Sequence, residues 1–227
     1  MKKTIFTLNT NPAAYKNITD LTYPFLKHYA QKIGADFYEI KERKFPEWTI
    51  TYEKLQMYKL GQEMKNDWNI FIDADALVHP DTPDFSNHLS KDTVAHNGSD
   101  MASFRWKYDK YFWRDGRNIG SCTWMCWASD WCIDLYRPID DMTPEEAYSN
   151  ISPISSETNF GITPSRLIED YVMSRNIAKY GLKFTTLKDI QKNLGAEGAD
   201  LFFHLYAVTS EEKEQRIKQC LKNWGLS

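Results

Sequence analysis

Two periods of hydrophobicity alternate along the first third of the chain. Lys2 to Leu8 is a short apolar-rich run that reads as a strand, and Asn9-Thr10-Asn11-Pro12 is a loop able to start a helix. From Ala13 to Ile33 the residues Tyr15, Ile18, Leu21, Phe25, Tyr29 and Ile33 recur at helical spacing, and Gly34 stops the helix. Pro24 inside this stretch predicts a kink or two shorter helices. Ala35 to Ile40 predicts a second strand. Thr51 to Lys65, with Leu55, Met57, Tyr58, Leu60 and Met64 on one stripe, predicts an amphipathic helix. The apolar run Ile70 to Ile72 follows, too short and too apolar for anything but a buried strand.

The second half is less regular. Thr93 to His96 and Cys122 to Ala128 read as short strands, and Ser129 to Tyr136 as a short helix capped by Ser129. Proline-bearing Pro138 to Thr163 reads as a long loop, Ser165 to Tyr180 as a helix closed by Gly181, and Lys183 to Leu187 as a strand. Ser210 to Trp224 is a terminal amphipathic helix with Ser210 as its cap. Strand, helix, strand, helix, strand is the order of a parallel sheet covered by helices, so the expected class is α/β. There is no internal repeat, and 227 residues fit one domain, 1–227.

The chemistry concentrates where the third strand ends. Asp73 and Asp75 follow Ile72 one residue apart, and the pleat of a strand predicts that both leave it on the same side. The carboxyl end of a central strand is where α/β sheets place their ligands. Two adjacent carboxylates repel one another, and a hard divalent cation offsets that repulsion and can hold a diphosphate. The alternative is a pair of solvated turn aspartates.

Composition narrows the field without choosing. A net charge of −3 with 26% charged residues gives no basic excess of the kind that nucleic-acid binders carry. No stretch is apolar enough for a signal peptide or a membrane anchor, so the expected location is the cytoplasm, and Cys122, Cys126, Cys132 and Cys220 are expected as thiols. Their spacing and neighbours do not make a zinc site.

Lys54-Leu55-Gln56-Met57-Tyr58-Lys59-Leu60, then Trp68-Asn69-Ile70-Phe71-Ile72-Asp73-Ala74-Asp75-Ala76-Leu77-Val78, resembles glycosyltransferases of the GT-A fold. In feel it is nearest to the retaining galactosyl- and xylosyltransferase families. The likeness to any one family is confined to this stretch, while the order of elements fits GT-A over most of the chain.

The resemblance implies a Rossmann-like fold with a mainly parallel central sheet flanked by helices. It also implies a nucleotide-sugar donor, most simply uridine-linked, and a Mn²⁺ or Mg²⁺ cofactor held by the Asp-x-Asp. In its terms Asp75 is a metal ligand, Asp73 binds metal or ribose, and the backbone of Ala74 lies against the nucleotide. Thr7, Leu8 and Asn9 match the loop that receives the nucleoside. Arg117-Asn118-Ile119-Gly120 resembles an acceptor-side segment, with Asn118 and Gly120 its matching residues.

His204, ending Leu201-Phe202-Phe203, is the expected third metal ligand, against a reading as a core histidine. Glu169 and Asp170 resemble the late acidic pair, as general base in inverting members or as a donor-sugar contact in retaining ones. They read equally as a charged helix face. Neighbouring helical positions diverge by about a quarter-turn, so only one is expected to face a cleft, with Asp170 favoured. Lys54 is either a diphosphate ligand or a solvated helix lysine.

The segment Phe104 to Asp115 interleaves rings with charges, so Arg105, Trp106 and Trp113 are expected to grip an acceptor glycan, unless the stretch is a partner interface. Trp124, Trp127 and Trp131 read as core. The acceptor is open beyond its hydroxyl, a modified nucleic-acid base included. Two other functions compete: a haloacid-dehalogenase-type phosphatase with Asp73 as nucleophile, and a silent nucleotide-sugar-binding module.

Overall fold

The computed structural model describes residues 1–97, 123–152, 161–206 and 208–226. A six-stranded sheet forms the centre. Its strands, in chain order, are β1 (Lys3–Leu8), β2 (Asp36–Ile40), β3 (Trp68–Ile72), β5 (Thr93–His96), β6 (Met125–Ser129) and β7 (Lys183–Thr186). Across the sheet the order is β2-β1-β3-β6-β5-β7, and only β6 runs against the others. The architecture is therefore α/β with a mostly parallel sheet, as the order of elements predicts. A small second sheet pairs β4 (Leu77–Val78) antiparallel with β8 (Phe202–Phe203).

All five residues of β3 are buried, as its apolar run requires of a central strand. Ile70 and Ile72 join Ile5, Leu26, Tyr29, Ala30 and Trp127 on one face, under helix α1 (Pro12–Ile33). Phe71 points the other way, joining Phe6, Met57, Cys126, Met173 and Ile177 under α2 (Met57–Met64) and α4 (Ile168–Tyr180). Gly61 in α2 lets that helix close on β3, since a Cβ there would come within 2.3 Å of the Asn69 side chain.

Several expectations need correction. Helix α1 runs through Pro24 as one element; the carbonyl that proline leaves unbonded belongs to exposed Asp20, where water can take it. The stretch predicted as one amphipathic helix over 51–65 begins as a 3₁₀ helix, Ile50–Gln56, before α2. Tyr52, Glu53, Lys54 and Leu55 are all buried, so the middle of this part keeps no solvent face. The predicted loop over 138–163 contains α3 (Pro144–Ser149), opened by a capping box between Thr143 and Glu146. The β7 strand stops at Thr186, which caps α5 (Leu187–Asn193). Thr209, not Ser210, caps the last helix, α6 (Ser210–Asn223), accepting from Glu212 N–H at 3.2 Å. Trp127 is core, Trp124 is half-buried, and Trp131 is 69% exposed. Trp131 lies in the first turn of the 3₁₀ helix Asp130–Tyr136, whose buried positions are Cys132, Leu135 and Tyr136.

Cys126, Cys132 and Cys220 are buried thiols. Among the described residues no helix is long and apolar enough to cross a membrane.

His96, closing β5, is 2% exposed, and burial pushes its pKa down from 6.5 to about 4 against the attraction of Asp189. The unfolded chain thus binds the extra proton between these values, and stability falls as pH drops through that window by up to about 3 kcal/mol. Urea unfolding at pH 7 and pH 4.5 should show that His96→Gln loses less stability on acidification than the parent chain. Equal losses would exclude His96 as the source.

Candidate active site

Parallel β1 and β3 end side by side, and their carboxyl ends open into a cleft of about 620 Å³. Leu8, Asn9, Thr10 and Asn11 line one part of it, and Asp73, Ala74 and Asp75 the floor. The far wall is Thr49 to Thr51 with Ile162, Thr163, Ser165, Arg166 and Glu169, and the Thr49 hydroxyl donates to the Ser165 carbonyl at 2.6 Å. Glu53, fully buried, fixes the approach to that wall by accepting from the Lys44 and Phe45 N–H groups and from Arg43 and Gln56.

The strand stops at Ile72, so the aspartates converge through a turn rather than through the pleat. Asp73 N–H donates to the Trp124 carbonyl at 2.8 Å, and Ala76 N–H donates back to the Asp73 carbonyl at 3.0 Å. Thr22 of α1 holds the Ala74 carbonyl at 2.5 Å. The small β4–β8 sheet delivers the third member. Phe203 pairs with Leu77, so His204, one residue on, falls beside the turn. Its Nε2 lies 3.3 Å from Asp75 Oδ1 and 3.7 Å from Asp73 Oδ2, and its ring stacks on Trp124 at 4.7 Å. Ligand atoms of Asp73, Asp75 and His204 all lie within 4.8 Å of one another.

Two lysines compensate the aspartates. Lys54 is 3% exposed, with Nζ 3.1 Å from Asp73 Oδ1, 3.2 Å from Glu169 Oε1 and 4.7 Å above the Phe71 ring. Lys213, on α6, is ion-paired with Asp75 Oδ2. Helix α6 packs through Ile217, Cys220 and Leu221 on Ile18 and Leu77, which puts Lys213, one turn before Ile217, over the site.

These contacts split the acids. Burial and the neighbouring Asp75 charge push the Asp73 carboxyl up, with Lys54 and His204 opposing. Burial also pushes on Asp75, but the hydrogen bonds and charges of His204 and Lys213 outweigh it and hold that carboxyl well below the usual range. Burial presses the Lys54 ammonium down, yet Asp73 and Glu169 together raise it above its ordinary value. Two carboxylates and an imidazole in a half-buried pocket are a donor set that fits Mn²⁺ or Mg²⁺.

The structure thus gathers Leu8, Asn9, Lys54, Asp73, Ala74, Asp75, Glu169 and His204 around one cleft. Thr7 is fully buried and Asp170 sits outside the lining. Arg105, Trp106, Trp113, Asn118 and Gly120 lie outside the described residues. Asn9 donates to Glu39 at 2.9 Å and to the Tyr23 hydroxyl, while its Oδ1 is buried with no hydrogen-bond partner among the described residues. Lys213, Trp124 and Thr123, whose hydroxyl contacts Glu169 at 3.4 Å, escaped the sequence reading. Lys213 carries a weak signal, since it shares the Ile217 stripe of an amphipathic helix.

No family model and no curated protein matches this chain. Among solved structures it is similar to a glycosyltransferase involved in the glycosylation of the major capsid of PBCV-1. The TM-score is 0.53 at 12% identity, over 96% of this chain and 100% of that one. The fold is one that a glycosyltransferase uses. The glycosyltransferase GlyE of Streptococcus pneumoniae TIGR4 also matches, at TM-score 0.44 and 12% identity, over 100% of this chain and 64% of that one. That alignment is too loose to bear on the fold.

Proposed function

We propose that this chain is a metal-dependent glycosyltransferase of the GT-A type, transferring a sugar from a nucleotide donor to an acceptor hydroxyl. The observation that carries the reading is the Asp73–Asp75–His204 cluster at the carboxyl end of β3, inside a cleft of a fold that a glycosyltransferase shares. Asp73, Asp75 and His204 would hold Mn²⁺ or Mg²⁺, whose charge stabilises a departing nucleoside diphosphate. Trp124 fixes the His204 ring by stacking.

The nucleoside belongs at the β1 end, where Leu8, Asn9, Thr10 and Asn11 line the cleft, and uridine is the base we assign. Lys213 supplies positive charge to the diphosphate. Glu169, held at Oε1 by Lys54 and Thr123, lines the cleft and is the carboxylate we assign to the sugar end of the donor. Exposed Tyr15, Ile50 and Tyr206 rim the cleft, where apolar faces of a sugar or base can stack. The residues around the Asp-x-Asp resemble retaining families, and retention is the outcome we assign.

Thermal unfolding against uridine, guanosine and adenosine diphosphates, with Mn²⁺ and with chelator, tests the reading. A ligand that binds only the native chain raises the midpoint, by a free energy of about 2.7 kcal/mol at a hundredfold excess over Kd. The expected result is a metal-dependent shift, largest with uridine diphosphate. No shift with any of them in a folded protein would remove the donor claim. A phosphoenzyme trapped at Asp73 would then establish the phosphatase alternative.

A further inference from the structure

We infer that Lys213 is an exchangeable counter-ion: it pairs with Asp75 and passes to the donor diphosphate when a divalent cation takes Asp75. This rests on the glycosyltransferase reading above and assigns Lys213 the coupling between its two ligands.

The two site lysines are held very differently. Lys54 is 3% exposed and tied at once to Asp73, Glu169 and the Thr123 carbonyl, with the Phe71 ring against it. It has no room to leave. Lys213 reaches the cleft from α6, near the helix start, and is 14% exposed. Among the described residues its ammonium is paired with Asp75 alone. A flexible four-carbon stem on a helix at the rim of an open cleft can swing without disturbing the core.

Asp75 cannot serve two cations equally. His204 stands on its Oδ1 side and Lys213 on Oδ2. A divalent ion among Asp73, Asp75 and His204 would share one negative charge with an ammonium on the same carboxylate. Like charges at that range in a half-buried site repel strongly enough to weaken both interactions. The ion alone therefore binds against Lys213. A diphosphate changes the balance, because it gives the displaced ammonium a new anion inside the same cleft. Cation and nucleotide then bind each more tightly in the presence of the other, by the same factor, as linkage requires.

Manganese titrations of the full chain, read by the electron spin resonance of free Mn²⁺, test this without turnover. They are run for the parent, Lys213→Met and Lys213→Arg, with folding checked by circular dichroism. Lys213→Met should bind Mn²⁺ alone about tenfold more tightly than the parent, a coupling of ordinary size. Lys213→Arg, which keeps the charge, should stay as weak as the parent. With uridine diphosphate added, the parent should gain Mn²⁺ affinity about tenfold and Lys213→Met should lose most of that gain. Lys213→Met should also bind the nucleotide more weakly.

Equal Mn²⁺ affinity in the parent and Lys213→Met overturns the proposal, whatever the nucleotide does. Tighter Mn²⁺ with undiminished nucleotide affinity overturns the transfer to diphosphate. Failure of uridine, guanosine and adenosine diphosphates to bind the parent would instead remove the glycosyltransferase reading. The Mn²⁺ arm contains no nucleotide, so the two failures are told apart.

Discussion

Replacing Asp75 with alanine is expected to abolish sugar transfer while leaving a folded protein. Asp75 is the acid that the site holds most firmly ionised. Burial opposes its charge, but His204 at 3.3 Å and Lys213 outweigh that penalty. A carboxylate kept charged at such expense, 13% exposed on the floor of a 620 Å³ cleft, is placed to meet a cation. Its removal leaves Asp73 and His204, too few donors to hold a hydrated divalent ion against solvent. Turnover should fall about a thousandfold or more, ~4 kcal/mol of barrier, since charge on the leaving diphosphate then goes uncompensated. The fold should lose only about 1–2 kcal/mol, because Lys213 can turn to water and the repulsion on Asp73 is relieved. Donor hydrolysis and transfer, with Mn²⁺ binding measured beside them, decide the matter. Undiminished turnover in a variant that no longer binds Mn²⁺ would remove the metal from the mechanism.

The acidic floor of the cleft was legible because its signal is local. Ile70 to Ile72 followed by Asp73 and Asp75 states a buried strand and its acidic end in six residues, and β1 and α1 were equally plain from period alone. His204 showed only as a histidine ending an apolar run. What brings it to the aspartates is a pairing of two-residue strands, Leu77–Val78 with Phe202–Phe203, across more than half the chain. No period exists in two residues, so the contact was invisible. The convergence of Asp73 and Asp75 comes instead from a local turn closed by Ala76 N–H on the Asp73 carbonyl, just after Asp73 N–H pairs with the distant Trp124 carbonyl. The α3 helix was hidden differently. Thr143-Pro144-Glu145-Glu146 is a readable capping box, but the prolines around it pulled the whole stretch toward a loop. Lys213 is one of several lysines on α6, and only packing tells which one overlies the site.

Lys54→Met is expected to be the most destabilising change in the cleft, and the loss should be recoverable with metal. Lys54 is the one group set between Asp73 and Glu169, at 3.1 and 3.2 Å, in a pocket that also contains Asp75. Methionine is one heavy atom shorter but fills most of the same space with an apolar chain, so packing changes little although the ammonium contact with Phe71 is lost. The charge does not survive. Glu169, 7% exposed, loses its ammonium, and Asp73, 22% exposed, faces two other carboxylates with one fewer cation. Breaking one side of a buried pair costs about 3–5 kcal/mol, and the partial exposure of Asp73 puts this case near about 3. Unfolding in urea without metal should show that loss. Glu169→Gln added to Lys54→Met should restore part of it, since one of the uncompensated charges is then gone. Saturating Mn²⁺ should raise the midpoint of Lys54→Met at least as much as that of the parent, because the ion supplies the charge that the lysine no longer does. If the single variant unfolds at the parent's midpoint, Lys54 is not the keystone of this acidic cluster. If it is destabilised and Mn²⁺ cannot recover it, Asp73, Asp75 and His204 do not form the cation site that their geometry describes.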